Sequence, residues 1–140
     1  MSIHYCNEDV SAPKMQKRKI TSWIKETIIS EGKTLGDISF IFCSDDYLLD
    51  VNKQYLNHDY FTDIITFDYV ENNVISGDIF ISCDRVKENA SDFKTGFENE
   101  LSRIIIHGVL HLLGYKDKSK KDKLLMTQKE DFYLKKLSNS

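Results

Sequence analysis

The chain has 140 residues, 41% of them hydrophobic and 29% charged, with a formal net charge of −3. That length suits one domain spanning residues 1–140, able to bury roughly two-thirds of its unfolded surface, and no apolar run approaches the ~20 residues of a membrane span. The acidic balance excludes general attraction to nucleic acid, so a polyanionic partner must meet a local patch.

The N-terminal Met-Ser-Ile-His-Tyr-Cys lacks the basic and apolar regions of a secretory signal, and the expected compartment is the cytoplasm. Cys6, Cys43 and Cys83 are odd in number and far apart, which predicts buried free thiols rather than a disulfide framework.

Ile3 and Tyr5 alternate with His4 and Cys6 as in a short strand. Ser11-Ala-Pro13 reads as a helix start, Ile20, Trp23, Ile24 and Ile28 form one apolar stripe, and Gly32 marks the stop. Ile38, Phe40 and Phe42 face one way along a second strand with Ile41 and Cys43 opposite, a pattern of burial on both sides. Ser44 or Asp45 caps a helix over 46–56 that turns Leu48, Val51 and Tyr55 inward. Residues 63–69 are rich in β-branched and aromatic side chains and read as a strand. Residues 75–82 read as another, with Gly77 marking a bulge or a close approach of another backbone. A short helix over 85–93 and a longer one over 97–113 follow, the latter with a stripe of Phe97, Leu101, Ile104, Ile105 and Leu112. Ser119-Lys-Lys-Asp122 resembles a capping box opening a last helix with Leu125 and Phe132 on its inner face, and 138–140 read as a frayed tail. The expected fold is α+β, one small mixed sheet covered by helices around a central helix.

That central helix carries the most informative segment, His107-Gly-Val-Leu-His111-Leu-Leu-Gly114-Tyr-Lys-Asp117. Histidines at i and i+4 project from one helical face. Gly114 ends the helix at low steric cost, and Asp117 is the first acid beyond the turn. Two imidazoles and a carboxylate then form a divalent-ion site with one position open. Zinc is the leading ion, with nickel or another first-row metal the alternatives. The spacing shares the chain-reversal logic of metzincin metalloproteases, but those enzymes place a general-base Glu after the first His, where this chain has Gly108. Losing that carboxylate removes a negative charge and predicts cleared volume beside the ion, which suits a phosphodiester.

The segment from His107 to Tyr115 resembles the signature of the YbeY endoribonuclease family, the bacterial ribosomal-RNA maturation factors. Leu56 to Phe67 is similar to that family's Thr-Asp-Val-Leu-Ser-Phe block and its approach, and Ser76-Gly-Asp-Ile-Phe-Ile81 to its Leu-Gly-Asp-Ile strand. Order and spacing agree from about Asn52 to Met126. The resemblance implies a zincin-like fold, bound zinc with His107 and His111 as ligands, and single-strand-specific cleavage. It further implies a role in maturation of the 16S ribosomal RNA 3′ end and in ribosome quality control, with ribosomal RNA and the small subunit as partners. Two departures stand out: the family's third His is Asp117 here, and an arginine usual after the Tyr matching Tyr55 is Leu56. Arg85 or Arg103 is the expected substitute for that arginine, set against an Arg103 ion pair with Glu100 or a neighbouring helix.

Asp63 and Asp78 are further candidates for orienting a ligand or moving a proton, against turn or strand-capping roles. For substrate binding, Tyr115 lies beside the metal turn, and Lys116 and Lys118 begin a basic run continuing through Lys120, Lys121 and Lys123. A second basic cluster, Lys14, Lys17, Arg18 and Lys19, reads as a solvated face, and Trp23 as core. Two alternatives stay open on the residues: a hydrolase of peptides or other non-nucleic substrates, and a non-catalytic ribosome-binding module with a structural metal.

Overall fold

A computed structural model describes residues 1–139 of the chain, which leaves Ser140 of the expected tail outside the described residues. In chain order the elements are β1 (Ile3–Asn7), α1 (Lys17–Ser30), β2 (Thr34–Cys43), α2 (Asp45–Leu56), β3 (Ile64–Asp68), β4 (Val74–Ser82), α3 (Cys83–Asp92), α4 (Phe97–Leu112) and α5 (Lys120–Ser138). The strands form one mixed sheet in the order β1-β2-β4-β3. β1 and β2, and β2 and β4, pair in parallel, and β3 runs antiparallel along the edge of β4.

Alternation along the strands divides the core. Ile38, Phe40, Phe42, Ile75, Ile79 and Ile81 join α1 and α4 in the main apolar cluster, while Cys43, Ile65, Leu48 and Val51 pack on the other face beneath α2. α4 buries Leu101, Ile104, Ile105, Ile106, Val109, Leu110 and Leu112 against the sheet, α1, α3 and α5, and is the central helix that the sequence predicts. Gly77 marks a close approach: a Cβ there would lie 2.5 Å from the Phe67 carbonyl oxygen and 2.8 Å from Leu112 Cδ2. The register irregularity ends at the same glycine: β2 carries one extra residue between Leu35 and Ile38, whose partners on β4 are Ile75 and Gly77.

The caps follow the local sequence. Ser44, rather than Asp45, caps α2 by accepting from the Tyr47 N–H at 3.1 Å, and Ser119 and Asp122 form the expected capping box of α5.

Several expectations are corrected. α1 begins at Lys17, not at Ser11-Ala-Pro13, and residues 11–16 stay non-helical ahead of the buried stripe that starts at Ile20. Tyr55 is 65% exposed, since α2 turns Leu48, Val51 and Asn52 inward. Leu125 and Phe132 are exposed, because α5 is rotated to bury Met126, Glu130 and Tyr133. Cys6 is exposed on edge strand β1, whereas Cys43 and Cys83 are buried, and all three are free. Ser138 closes α5 instead of fraying. Among the described residues no helix is long and apolar enough to cross a membrane.

Candidate metal centre

The last turn of α4 builds the site. Gly114 adopts φ +102°, its N–H donates to the His111 carbonyl at 3.0 Å, and the Tyr115 N–H reaches the Leu110 carbonyl at 3.0 Å. This paired closure satisfies the helix's last carbonyls and reverses the chain, which carries Asp117 back over the histidine face. His107 Nε2 and His111 Nε2 lie 3.0 Å apart, and Asp117 Oδ2 lies 3.3 Å from the first and 3.5 Å from the second. Donors bound to zinc at about 2.0–2.2 Å in a tetrahedron are spaced about 3.3–3.6 Å from one another. The three atoms therefore stand close to the edges of such a tetrahedron, and the donor set fits a divalent ion with a fourth corner open.

Each imidazole is oriented from behind. His107 Nδ1 donates to Glu130 Oε2 at 2.6 Å, and His111 Nδ1 donates to the Tyr115 carbonyl at 3.0 Å. Acceptors on both Nδ1 atoms assign the proton there and leave both Nε2 lone pairs for the ion, the arrangement expected of ligating histidines. Glu130 is buried on α5, and its other oxygen takes the Arg103 guanidinium at 2.7 Å, while Arg103 also holds Asp131 at 2.7 Å. A second brace comes from α1: the Glu31 carboxylate accepts from Tyr115 Oη at 2.6 Å, from Lys129 Nζ at 3.2 Å and from the Tyr133 hydroxyl.

Electrostatics separate the two imidazoles in the metal-free chain. Burial works against a charged His107, but the Glu130 hydrogen bond and the charges of Glu130, Asp117 and Asp63 outweigh it and raise its pKa. Burial and the neighbouring His107 lower that of His111.

A groove of about 440 Å³ opens over the donors, lined by Thr62, Asp63, Ile64, Thr66, Asp68, His107, His111 and Asp117. The structure thus brings Asp63 to the site. Asp78 is not there: on β4 it alternates with Gly77 and Ile79, which face α4, so it lies on the opposite side of the sheet. Arg103 pairs with Glu130 and Asp131 on α5, not with Glu100, and Arg85 is held by Asp45 at 3.1 Å, so both guanidinium groups are committed to acids. Tyr115 is half-buried, with its hydroxyl tied to Glu31. Lys116 and Lys118 are exposed on the turn itself, and Trp23 is core, its indole N–H donating to the Tyr133 carbonyl at 2.8 Å.

The expected hollow at Gly108 is absent. A Cβ there would sit 3.0 Å from Ile79 Cγ2 and 3.1 Å from Ile64 Cδ1, so the glycine lets α4 press onto β3 and β4. Sequence reasoning also missed Thr66 and Asp68, which alternation places on the α4 side of β3, and Glu130. A signal for Glu130 existed: it is an acid within the stripe Met126, Glu130, Tyr133, where an apolar residue is the rule.

The model of the family described as Endoribonuclease YbeY matches residues 3–138. An endoribonuclease YbeY of Parabacteroides distasonis is 52% identical over 131 residues, 94% of this chain and 92% of the relative. One of Flavobacterium psychrophilum is 53% identical over 129 residues, 92% of each chain. The solution structure of TM1509 from Thermotoga maritima superposes with a TM-score of 0.70 at 30% identity, covering 96% of this chain and 88% of that one. With a family model spanning nearly its whole length, and a site built on the segment that first suggested the likeness, this chain belongs to the endoribonuclease YbeY family.

Proposed function

We propose that the chain is a zinc-dependent, single-strand-specific endoribonuclease of the cytoplasm that acts on the 3′ end of 16S ribosomal RNA in the context of the small ribosomal subunit and its quality control. The observation that carries this reading is the triangle of His107 Nε2, His111 Nε2 and Asp117 Oδ2, with edges of 3.0 to 3.5 Å, in a chain of a family named for RNA cleavage. A divalent ion at these donors supplies Lewis-acid polarisation of a phosphodiester and acidifies water.

The chain's own residues do the rest. Glu130 and the Tyr115 carbonyl hold both rings with Nε2 toward the groove. Asp63 lines both the groove over the donors and the one behind His107, and it is the carboxylate we assign to receive a proton from water or from the RNA 2′-hydroxyl. Lys116 and Lys118, on the same turn as Asp117, offset phosphate charge.

The test uses the protein loaded with zinc, or stripped with chelator, on single-stranded and duplex RNA carrying the precursor 3′ end. Zinc-dependent cutting of the single strand is expected, and the ends report the nucleophile: a 2′,3′-cyclic phosphate requires the internal hydroxyl and a 5′-phosphate requires water. Intact RNA beside a cleaved peptide panel would overturn the reading. Elemental analysis should find stoichiometric zinc in the wild type and sharply less in Asp117→Ala.

A further inference from the structure

His107 stands between two grooves. The second, of about 210 Å³, is lined by Asn89 and Phe93 of the α3 end, by Arg103 and Ile104 of α4, and by Asp63 and His107, the two residues it shares with the ion groove. Phe93 is 72% exposed at the C-terminal cap of α3. Half-buried Asn89 lies one turn earlier, and among the described residues its side-chain amide has no hydrogen-bond partner.

We propose that this second groove is a nucleobase subsite, taking the base of a nucleotide adjacent to the cleaved phosphodiester. The inference rests on the nuclease reading and adds where sequence preference arises. Three features select a base over the other parts of a nucleotide. Glu100 and Glu130 line the groove along with Asp63, and Arg103 is already bound to Glu130 and Asp131, so a phosphate would meet net negative charge there. The aromatic face of Phe93 offers stacking, which suits every base. The Asn89 carboxamide presents a donor and an acceptor side by side, the pattern that reads the edge of a base in pairs of hydrogen bonds. Continuity through His107 and Asp63 then lets one strand place its phosphate at the ion and its neighbouring base in the second groove.

Two measurements test it. A single-stranded RNA library randomised around the cut is digested by zinc-loaded wild type, Phe93→Ala, Phe93→Tyr and Asn89→Ala. The ring resonances of Phe93 are also followed by NMR as a single-stranded hexanucleotide is added to the metal-free protein. Phe93→Ala should raise KM about 5- to 150-fold, the range that one lost base stack supplies, and Phe93→Tyr should restore it. Asn89→Ala should change which base is preferred beside the cut, with zinc content and Tm unchanged in all three variants. The Phe93 ring signals should move upfield on RNA addition. Cleavage with unaltered preference, unaltered KM and unmoved Phe93 signals overturns the subsite alone. RNA that shifts Phe93 but is never cut by the zinc-loaded wild type overturns the nuclease reading and leaves the base subsite standing.

Discussion

Glu130 Oε2 and His107 Nδ1 lie 2.6 Å apart, so a buried carboxylate from the C-terminal helix sets the direction in which the first imidazole offers its lone pair. Removing the carboxylate frees the ring and unpairs one side of Arg103. Glu130→Ala should weaken zinc binding about 10–100-fold and cost about 1–3 kcal/mol of stability, the penalty for stranding a buried hydrogen-bonding group. Competition against a chromophoric chelator and urea denaturation check both numbers. Unchanged zinc affinity would show that His107 is oriented by something else.

The opposed shifts of the histidines predict how zinc uptake depends on pH. His107 is raised, so its favourable contribution to the metal-free fold is complete below 6.5 and is lost as pH climbs through its higher folded value. His111 is lowered, so the fold is penalised as pH falls below 6.5 and the unfolded chain takes up the proton that the fold refuses. Zinc needs both Nε2 atoms bare, and a neutral His111 has no proton to give up. Protons released at pH 6.5 should therefore come mainly from His107. Calorimetric titration in buffers of different ionisation enthalpy counts them, and the count should fall in Glu130→Gln, which removes a charge that favours the imidazolium.

Gly108 invites a simple challenge. Gly108→Glu recreates the residue order of a zinc peptidase, yet the side chain would enter the space that Ile79 and Ile64 fill. Overpacking of this kind costs about 1–3 kcal/mol, and the carboxylate would lie among isoleucines. Thermal denaturation should show the loss, and a fluorogenic peptide panel should stay silent. A variant that gained peptidase activity at wild-type stability would contradict the close packing of α4 on the sheet.

Glu31 links the end of α1 to the metal turn through Tyr115, and to α5 through Tyr133 and Lys129. Burial alone would raise its pKa, but the three hydrogen bonds and the Lys129 charge hold it below its ordinary 4.5. A depressed acid stabilises the fold above its unfolded value, and that stability disappears as pH falls through the folded value. Acid unfolding of Glu31→Gln should therefore be less steep below pH 4.5 than that of the wild type. Tyr115→Phe should cost about 1.5–3 kcal/mol at neutral pH, the worth of a hydrogen bond to a charged group.

Much of this protein was legible as a string. Element order, the central helix, the α5 capping box and the triad His107, His111 and Asp117 all follow from patterns within a dozen residues: an i, i+4 pair, a glycine beyond it, and an acid three positions later. The misplaced side chains on α2 and α5 share one cause. Tyr55, Leu125 and Phe132 lie on helices whose apolar residues suit more than one face, and packing against the sheet, α1 and α4 selected another.

Local periodicity by itself determined which residues can reach a shared ion, because helical pitch and a left-handed turn act within a few residues. Only tertiary structure decided what holds those residues in place. Glu130 is 23 positions from His107 and Glu31 is 84 from Tyr115. Asp63 faces the histidines because β3 lies antiparallel along β4, while Asp78 does not because of where its strand's alternation falls. Contacts across such separations depend on how helices and strands are stacked, and that stacking comes from burying apolar surface as a whole, a sum over the entire chain that no short segment encodes.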